Sequence, residues 1–250
     1  MKLKYKKLIT SLYKYFKHKK ASDSLRVLMY HDIGDQFPQK SLWKISKKNF
    51  VDHVKFLYQS NKNIIRSDLL LSSMPKQGLV ITFDDGFMST FKIAAPILIE
   101  HEMPFTVFIT TGFLEGKNKY VDKNTLQEFA DHPLISIGSH GVNHIKLTQS
   151  GTLFEARSEI VDSKKYLEDL MGKEVISFSF PYGAYNKELK EIVINSGYKL
   201  AFTSNFSFNL YAQDKFLVNR NEIWSTDSLQ VFQEKLSGDW DWLRYRSNNY

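Results

Sequence analysis

Two adjacent aspartates follow an apolar run in this sequence. Asp84 and Asp85 come directly after Val80–Phe83 and are followed by Gly86. Two neighbouring carboxylates at the end of a buried strand repel each other unless a cation neutralises them. Because side chains alternate along a strand, one aspartate can face a metal ion while the other faces its bound water. Asp-Asp-Gly is also a common loop sequence, and taken alone the pair would be interpreted as a turn.

Two histidines with metal-binding spacing follow another apolar run. His140 and His144 come after Ile135–Ser139 and are four residues apart, which places two imidazoles on the same side of a helical turn. Two histidines and one carboxylate leave coordination positions open, as in catalytic rather than structural metal sites. The chain has no cysteine, so any metal ligands must be His, Asp or Glu. The same histidine spacing also arises by chance in many chains.

A further histidine, His31, follows the apolar run Val27–Tyr30. Taken by itself, His31 would be interpreted as a hydrogen-bonded histidine packed against the core. At the catalytic end of a barrel, however, a histidine that titrates near neutrality is a suitable proton donor.

Alternating strands and helices must position these residues. Short runs rich in Val, Ile, Phe and Thr alternate with longer amphipathic segments, which predicts βα units and a parallel sheet buried on both faces. Seven such runs predict a barrel, complete or incomplete, with all strand C-termini on one face. The predicted strands are 26–30, 79–83, 105–110, 135–138, 176–180, 200–203 and 216–218, and the predicted helices are 47–59, 88–101, 152–170, 186–196 and 227–236.

The basic charge of the chain lies in its first twenty residues. The formal net charge is +7, and residues 1–20 contain eight lysines and no acidic residue, so the rest carries about −1 (7 − 8). Apolar residues recur there at helical spacing, which predicts a basic amphipathic helix that either lies on an anionic membrane surface or is simply solvated. Residues 1–22 are therefore predicted as a separate segment and residues 23–250 as one domain. The near-neutral domain argues against a nucleic-acid partner.

The N-terminal segment does not have the features of a signal peptide. Its apolar stretch is short, Lys14 interrupts it, and no small-residue cleavage site follows. No stretch of the sequence approaches the length of a transmembrane helix. We therefore expect a cytoplasmic protein, or one held peripherally at the inner membrane surface.

Three motifs, taken in order, resemble those of the polysaccharide deacetylases with a NodB homology domain, carbohydrate esterase family 4. The matching segments are Thr82–Gly86, Ile137–His144 and Phe178–Gly183, and the likeness covers roughly residues 25–220. The resemblance implies a distorted (β/α)7 barrel in a single domain. It also implies an N-acetylated carbohydrate substrate and a water-activating divalent metal, usually zinc, with cobalt and nickel as alternatives.

The resemblance assigns a role to each candidate site residue. The metal ligands of the family correspond to Asp85, His140 and His144. Asp84 corresponds to the base that deprotonates the water. Pro181 and Tyr182 fall in the groove-wall motif, in which the tyrosine backbone N–H binds the oxyanion.

The sequence departs from the family pattern at three positions. Ser179 replaces the arginine that normally orients the base, and Arg220 is a candidate substitute. Gly141 replaces the Ser or Thr that follows the first ligand histidine, so a hydrogen bond around the metal is expected to be lost. No histidine follows Leu217, where many members carry their acid histidine. The opening strand resembles that of a permuted subgroup, which includes poly-N-acetylglucosamine deacetylases. In this subgroup the acid histidine comes from the opening strand. The resemblance therefore makes His31 the candidate acid.

We therefore expect a metal-dependent hydrolase that removes acetyl groups from N-acetylated sugars of a surface glycan, a glycolipid or its precursor. One alternative is an O-deacetylase. Another is a non-catalytic glycan- or membrane-binding protein on a deacetylase scaffold, although the complete set of candidate catalytic residues argues against it.

Overall fold

The computed structural model describes residues 3–16, 24–35, 41–114 and 119–245. The strands are β1 (Leu25–Tyr30), β2 (Asp32–Ile33), β3 (Lys44–Ile45), β4 (Gly78–Phe83), β5 (Phe105–Ile109), β6 (Ile135–Ser139), β7 (Ser177–Ser179), β8 (Leu200–Phe202) and β9 (Asn221–Glu222). The α-helices are α1 (Leu3–Phe16), α2 (Lys47–Gln59), α3 (Ala95–Glu100), α4 (Lys123–Ala130), α5 (Leu153–Met171), α6 (Lys187–Asn195) and α7 (Leu229–Ser237). One parallel sheet has the order β8-β7-β6-β5-β4-β1-β9, and β2 pairs with β3.

Residues 218–222 bring the two edges of the large sheet together. Val218 forms a parallel bridge with Phe202 at the end of β8, whereas β9 pairs in parallel with β1. The sheet therefore curls into the predicted distorted (β/α)7 barrel. The C-terminal ends of its parallel strands meet at one face, where barrels of this kind carry their sites.

The seventh strand lies later in the sequence than predicted. The apolar run Phe216–Val218 predicts a strand, but only Val218 pairs there, as the single bridge to Phe202. The Asp214 carboxylate accepts a hydrogen bond from the backbone N–H of Phe216 at 2.8 Å, which holds Phe216 in a turn. Pairing with β1 begins only at β9, whose two residues are polar and give no apolar periodicity.

The helices follow the predicted pattern with two differences. Helix α2 spans the predicted residues and begins at Ser46, whose hydroxyl accepts a hydrogen bond from the Asn49 N–H at 3.1 Å. The predicted helix 88–101 begins at Met88 as predicted, but it contains a π-helical turn over Thr90–Ala94 before it continues into α3. Helix α4, which starts after the Asp122 cap, is an additional element.

The central strands are buried on both faces, and alternate residues of a strand belong to different clusters. On β1, Leu28 and Tyr30 pack in the core between sheet and helices, whereas Val27 belongs to a second cluster. Phe108 and Phe202 of this second cluster lie on strands that are not neighbours, yet their ring centroids are 5.1 Å apart. The second cluster therefore fills the barrel interior with apolar side chains.

Helix α1 packs against the C-terminal part of the chain. Its contact surface is the C-terminal cluster, which consists of Phe206, Trp224, Val231, Trp240, Trp242 and Leu243. The indole N–H of Trp242 donates to Thr10 Oγ1 at 2.9 Å, and the Lys6 ammonium lies 3.8 Å from the centroid of a Trp224 ring. The remaining face of α1 leaves apolar side chains exposed, namely those of Tyr5, Leu8 and Leu12.

The predicted boundary of the N-terminal segment, between residues 22 and 23, lies outside the described residues. Among the residues that the structure describes, no helix combines the length and apolar character needed to cross a bilayer.

A buried histidine makes the fold sensitive to acid. The His53 ring stacks on Phe232 with centroids 3.9 Å apart, and its Nδ1 lies 3.2 Å from the Tyr30 hydroxyl oxygen. Burial, followed by the nearby Lys235 charge, lowers the pKa of His53 to about 3. The unfolded chain binds this proton near the ordinary histidine pKa of about 6.5. Stability is therefore lost as the pH falls from 6.5 towards 3, because the unfolded state binds more protons.

We predict that His53→Gln reduces the loss of stability on acidification, because glutamine does not titrate and can still hydrogen-bond the Tyr30 hydroxyl. At pH 5, proton uptake by His53 in the unfolded chain lowers the free energy of unfolding by about 2 kcal/mol. Urea unfolding at pH 7 and at pH 5 measures the loss for the wild type, for His53→Gln and for the control His132→Gln. An equal loss in the wild type and His53→Gln contradicts the assignment.

Candidate active site

The C-terminal ends of the strands enclose a cavity of about 280 Å³. The predicted site residues that line it are His31, Asp84, Asp85, His140, His144, Tyr182 and Arg220. Residues that the sequence analysis did not single out complete the lining, namely Met29, Trp43, Gly183, Ser204 and Glu222. Pro181 is buried and does not border the cavity. The structure thus brings together residues from well-separated parts of the sequence.

A buried ion pair lines the floor of the cavity. Arg220 donates from Nη1 to Asp84 Oδ1 and from Nη2 to Asp84 Oδ2, each at 2.7 Å. The same guanidinium donates to Ser179 Oγ and to the backbone oxygen of Thr203, each at 2.8 Å. Arg220 therefore contacts the Asp84 carboxylate directly, and it also contacts the serine that stands where the family carries an arginine.

This ion pair sets the charge state of Asp84. Burial alone raises the pKa of Asp84, but the Arg220 guanidinium and then the His140 ring hold that pKa well below its usual range. The carboxylate is therefore ionised at neutral pH, which is the state that a general base requires.

Three side chains beside Asp84 form a candidate metal site, and their ligand atoms all lie within 4.8 Å of one another. Asp85 Oδ1 is 3.5 Å from His140 Nε2 and 3.2 Å from His144 Nε2. This oxygen is buried, and no described donor is placed to hydrogen-bond it. His140 Nδ1 lies 2.8 Å from the Ser179 carbonyl oxygen. Because a carbonyl oxygen can only accept a hydrogen bond, Nδ1 carries the ring proton. The other ring nitrogen, Nε2, is therefore free to bind a metal ion. One oxygen and two nitrogen ligands fit a divalent metal such as zinc.

The two histidines differ in protonation. Burial lowers the pKa of His140 to about 4, so this ring is neutral at pH 7. Burial also acts to lower the pKa of His144, but the Asp85 carboxylate, 3.2 Å away, outweighs it and raises that pKa. A cation at this site therefore competes with a proton for His144.

Backbone strain is concentrated at the site. The φ angle is 71° at Asp85, 56° at His144 and 59° at Tyr182, all in the left-handed region. In the described ranges, the remaining non-glycine residues with positive φ are Asn61 and Glu102. Such conformations cost on the order of 1–3 kcal/mol each and cluster at functional sites. Their presence at three cavity residues supports a functional reason for the strain.

A buried carboxylate holds the loop that carries the histidines. Glu159 on α5 accepts hydrogen bonds from the backbone N–H groups of Val142 and Asn143 at 2.9 and 2.8 Å, and from Asn143 Nδ2 at 2.7 Å. A Cβ built at Gly141 would lie 3.0 Å from Glu159 Oε2, and φ at Gly141 is +79°. Glycine at this position therefore leaves room for Glu159, which supports the loop from a neighbouring helix.

The opposite wall of the cavity contains His31, Trp43 and Glu222. The rings of His31 and Trp43 have centroids 5.2 Å apart, and His31 Nδ1 is buried without a hydrogen-bond partner among the described residues. Glu222 accepts a hydrogen bond from Trp224 Nε1 at 2.5 Å, and burial raises its pKa. Glu222 lies two residues after Arg220, so strand alternation could have placed both on the same side. Trp43 stands in a short stretch of mixed apolar and polar residues just before β3 and offers no such signal.

The chain belongs to the polysaccharide deacetylase family, whose sequence profile matches residues 72–201. It is 31% identical over 186 residues to YxkH of Bacillus subtilis (strain 168), and the match covers 72% of this chain and 64% of that protein's length. It is 25% identical over 230 residues to the poly-beta-1,6-N-acetyl-D-glucosamine N-deacetylase of Staphylococcus aureus (strain N315), covering 81% of this chain and 74% of that protein.

Solved structures of deacetylases share the fold. The Streptococcus pyogenes deacetylase PplD in complex with acetate matches with a TM-score of 0.77 at 24% identity, covering 85% of this chain and 98% of that chain. IcaB from Ammonifex degensii matches with a TM-score of 0.75 at 20% identity, covering 89% of this chain and 97% of that chain. The predicted fold class and family are confirmed.

We predict that Glu159→Gln destabilises the protein by about 1–3 kcal/mol, because the glutamine amide nitrogen cannot accept the hydrogen bonds that the loop donates. We also expect the affinity for Co²⁺ to fall about 10- to 100-fold, as when groups that orient metal ligands are changed. Urea unfolding and a Co²⁺ absorption titration measure the two effects, with Asp169→Asn on the same helix as the control. Unchanged Co²⁺ affinity in Glu159→Gln would show that the loop does not depend on this carboxylate.

Proposed function

We propose that the protein is a metal-dependent N-deacetylase that removes acetyl groups from N-acetylglucosamine residues of a surface polysaccharide, a glycolipid or a precursor of either. The observation that carries this proposal is the meeting of an arginine-paired aspartate with an Asp-His-His ligand set in one cavity. The name of the Staphylococcus aureus relative states that it deacetylates poly-beta-1,6-N-acetyl-D-glucosamine, which supports an N-linked acetyl group on a glucosamine polymer.

The metal is assigned to Asp85, His140 and His144, with Zn²⁺ as the first candidate and Co²⁺ or Ni²⁺ as alternatives. The buried Asp85 oxygen without a donor and the free Nε2 of His140 support this assignment. When bound there, a divalent cation lowers the pKa of a water and polarises the acetamide carbonyl. Protein groups transfer the protons and orient the substrate.

Asp84, ionised and oriented by Arg220, accepts a proton from the attacking water. The backbone N–H of Tyr182 donates to the oxyanion that forms as the carbonyl becomes tetrahedral. Pro181 supports this tyrosine, because its carbonyl oxygen accepts the hydrogen bond that closes the Pro181–Gly183 turn. His31 donates a proton to the amine nitrogen as the C–N bond breaks, releasing acetate and a free amino sugar.

The O-deacetylase alternative is less well supported by the residues of the cavity. An amide nitrogen leaves only when it is protonated, whereas an ester oxygen leaves more readily, so a histidine beside the reacting position favours the amide. A non-catalytic scaffold has no need for a strained backbone at three cavity residues or for an ionised, buried aspartate. Comparing acetate release from N-acetylated and O-acetylated sugars distinguishes an N-deacetylase from an O-deacetylase.

We predict that Asp84→Asn lowers acetate release at least about 100-fold, because asparagine cannot accept the proton of the attacking water. The substrate is a short β-1,6-linked N-acetylglucosamine oligomer, and the protein is assayed metal-stripped and after addition of Zn²⁺ or Co²⁺. Asp131→Asn, at an exposed aspartate far from the cavity, serves as the control.

The Asp84→Asn variant leaves the buried Arg220 charge without its carboxylate partner, which costs about 3–5 kcal/mol, although the hydrogen bonds to Ser179 and Thr203 remain. Circular dichroism and Co²⁺ absorption therefore accompany the assay and identify a folded, metal-loaded variant. Activity retained by that variant would overturn the assignment of Asp84 as base. A wild type that binds no metal and releases no acetate would instead support the non-catalytic scaffold.

We also propose that α1 attaches the protein to an anionic membrane surface. One face of α1 is docked on the C-terminal cluster, while Tyr5, Leu8 and Leu12 on the other face are 58–60% exposed. The first twenty residues add eight lysines and no acidic residue. Apolar side chains between lysines suit the headgroup region of a bilayer rich in anionic lipid. Attachment at the cytoplasmic surface of the membrane is part of the same proposal.

We predict that the Leu8→Glu/Leu12→Glu double variant loses binding to phosphatidylglycerol-rich vesicles, because two carboxylates replace the apolar contacts and oppose the anionic lipid. Co-sedimentation with these vesicles and with phosphatidylcholine vesicles measures the effect. Leu69→Glu/Leu210→Glu, at exposed leucines elsewhere on the surface, is the matched control. Wild-type protein that remains in the supernatant with both vesicle types would refute the attachment.

A further inference from the structure

We infer that Trp43 is a binding platform for a hexosamine ring, and that it fixes the pyranose whose acetamide enters the reacting position. This inference rests on the proposed function and names the face of the cavity that recognises the sugar. Trp43 borders the cavity together with His31 and Asp84, yet 43% of its surface is exposed. The other three tryptophans are nearly buried, so Trp43 is the tryptophan available to a ligand.

The backbone around Trp43 is held in place before any ligand arrives. The Trp43 carbonyl oxygen accepts a hydrogen bond from the Asp32 N–H at 3.3 Å, and its N–H donates to Ser41 Oγ at 3.2 Å. The Leu42 carbonyl oxygen accepts from the Ser225 N–H at 2.8 Å. An exposed aromatic ring on an ordered backbone costs little entropy to use in binding.

The positions of the aromatic residues on the two sides of the cavity place the sugar ring of the substrate against Trp43. The Trp43 and His31 rings are 5.2 Å apart on one side, while the His144 and Tyr182 rings are 4.7 Å apart on the other. In the proposed reaction the acetyl carbonyl faces the ligand side, which includes His144, and the amine nitrogen faces His31. The pyranose carbon bonded to that nitrogen then lies on the His31 side, where Trp43 is the exposed aromatic surface.

The chemistry of the two surfaces is complementary. One face of a glucosamine ring presents C–H groups, which pack on the negative face of an aromatic ring, while the hydroxyl groups point outward to water. A cavity of about 280 Å³ lies just below the range of about 300–1,000 Å³ typical of small-molecule pockets. It therefore accommodates one sugar residue at a time, and neighbouring residues of a polymer extend past the exposed edges of Trp43 and Tyr182.

The kinetic test compares Trp43→Ala and Trp43→Phe with the wild type, using the β-1,6-linked oligomer and metal-loaded protein. We expect Trp43→Ala to raise KM about tenfold with kcat changed by less than about threefold, and Trp43→Phe to retain most of the affinity. Leu42→Ala is the matched control, because Leu42 is 53% exposed in the same loop but does not line the cavity. An unchanged KM in Trp43→Ala overturns the inference.

The binding test uses intrinsic fluorescence and does not depend on turnover. Adding the oligomer to metal-loaded Asp84→Asn is expected to shift tryptophan emission to shorter wavelength and to reduce quenching by acrylamide. Both changes should disappear in Asp84→Asn/Trp43→Phe. A response that persists without Trp43, or no response in Asp84→Asn, argues against the platform. If the wild type releases no acetate, the proposed function fails, while the fluorescence titration still decides whether Trp43 binds the sugar.

Discussion

The buried ion pair between Asp84 and Arg220 is the interaction on which both the barrel and the site depend. Asp84 follows β4, whereas Arg220 lies in the segment that joins the two edges of the sheet, and two hydrogen bonds of 2.7 Å connect them. Either charge alone would be uncompensated in this buried position, at a cost of about 3–5 kcal/mol. Closure of the sheet and orientation of the candidate base are therefore maintained by the same contact.

Around this pair, hydrogen bonds offset a strained backbone. Asp85, His144 and Tyr182, which line the cavity, have left-handed φ angles. Glu159 supports the histidine loop through three hydrogen bonds. Gly183 permits the tyrosine turn to approach its neighbour, because a Cβ there would lie 1.9 Å from Ser204 Oγ. The candidate site is thus held in place by contacts within the protein, as preorganised catalysis requires.

The sequence was sufficient for those parts of the structure that depend on local pattern. Apolar runs located six of the seven sheet strands, and polar residues at their ends located the Asp-His-His cluster, because parallel strands bring their C-terminal ends together. The seventh strand was misplaced, since its two polar residues pair with β1 for reasons of closure rather than of apolar periodicity. Glu159 and Trp43 could not be found in this way. A helix and a loop contribute them, and only tertiary packing brings them to the site.

The C-terminal cluster connects the cavity with the first helix of the chain. Trp224 donates its indole N–H to Glu222, which borders the cavity. The Trp224 side chain also contacts the Lys6 ammonium of α1, at 3.8 Å, and the buried Lys235 ammonium, at 3.7 Å, each measured to a ring centroid. Lys235 is in turn fixed by an ion pair of 2.5 Å with buried Asp227. One wall of the cavity therefore rests on contacts from both ends of the chain, so α1 is a structural support of the site as well as a candidate membrane anchor.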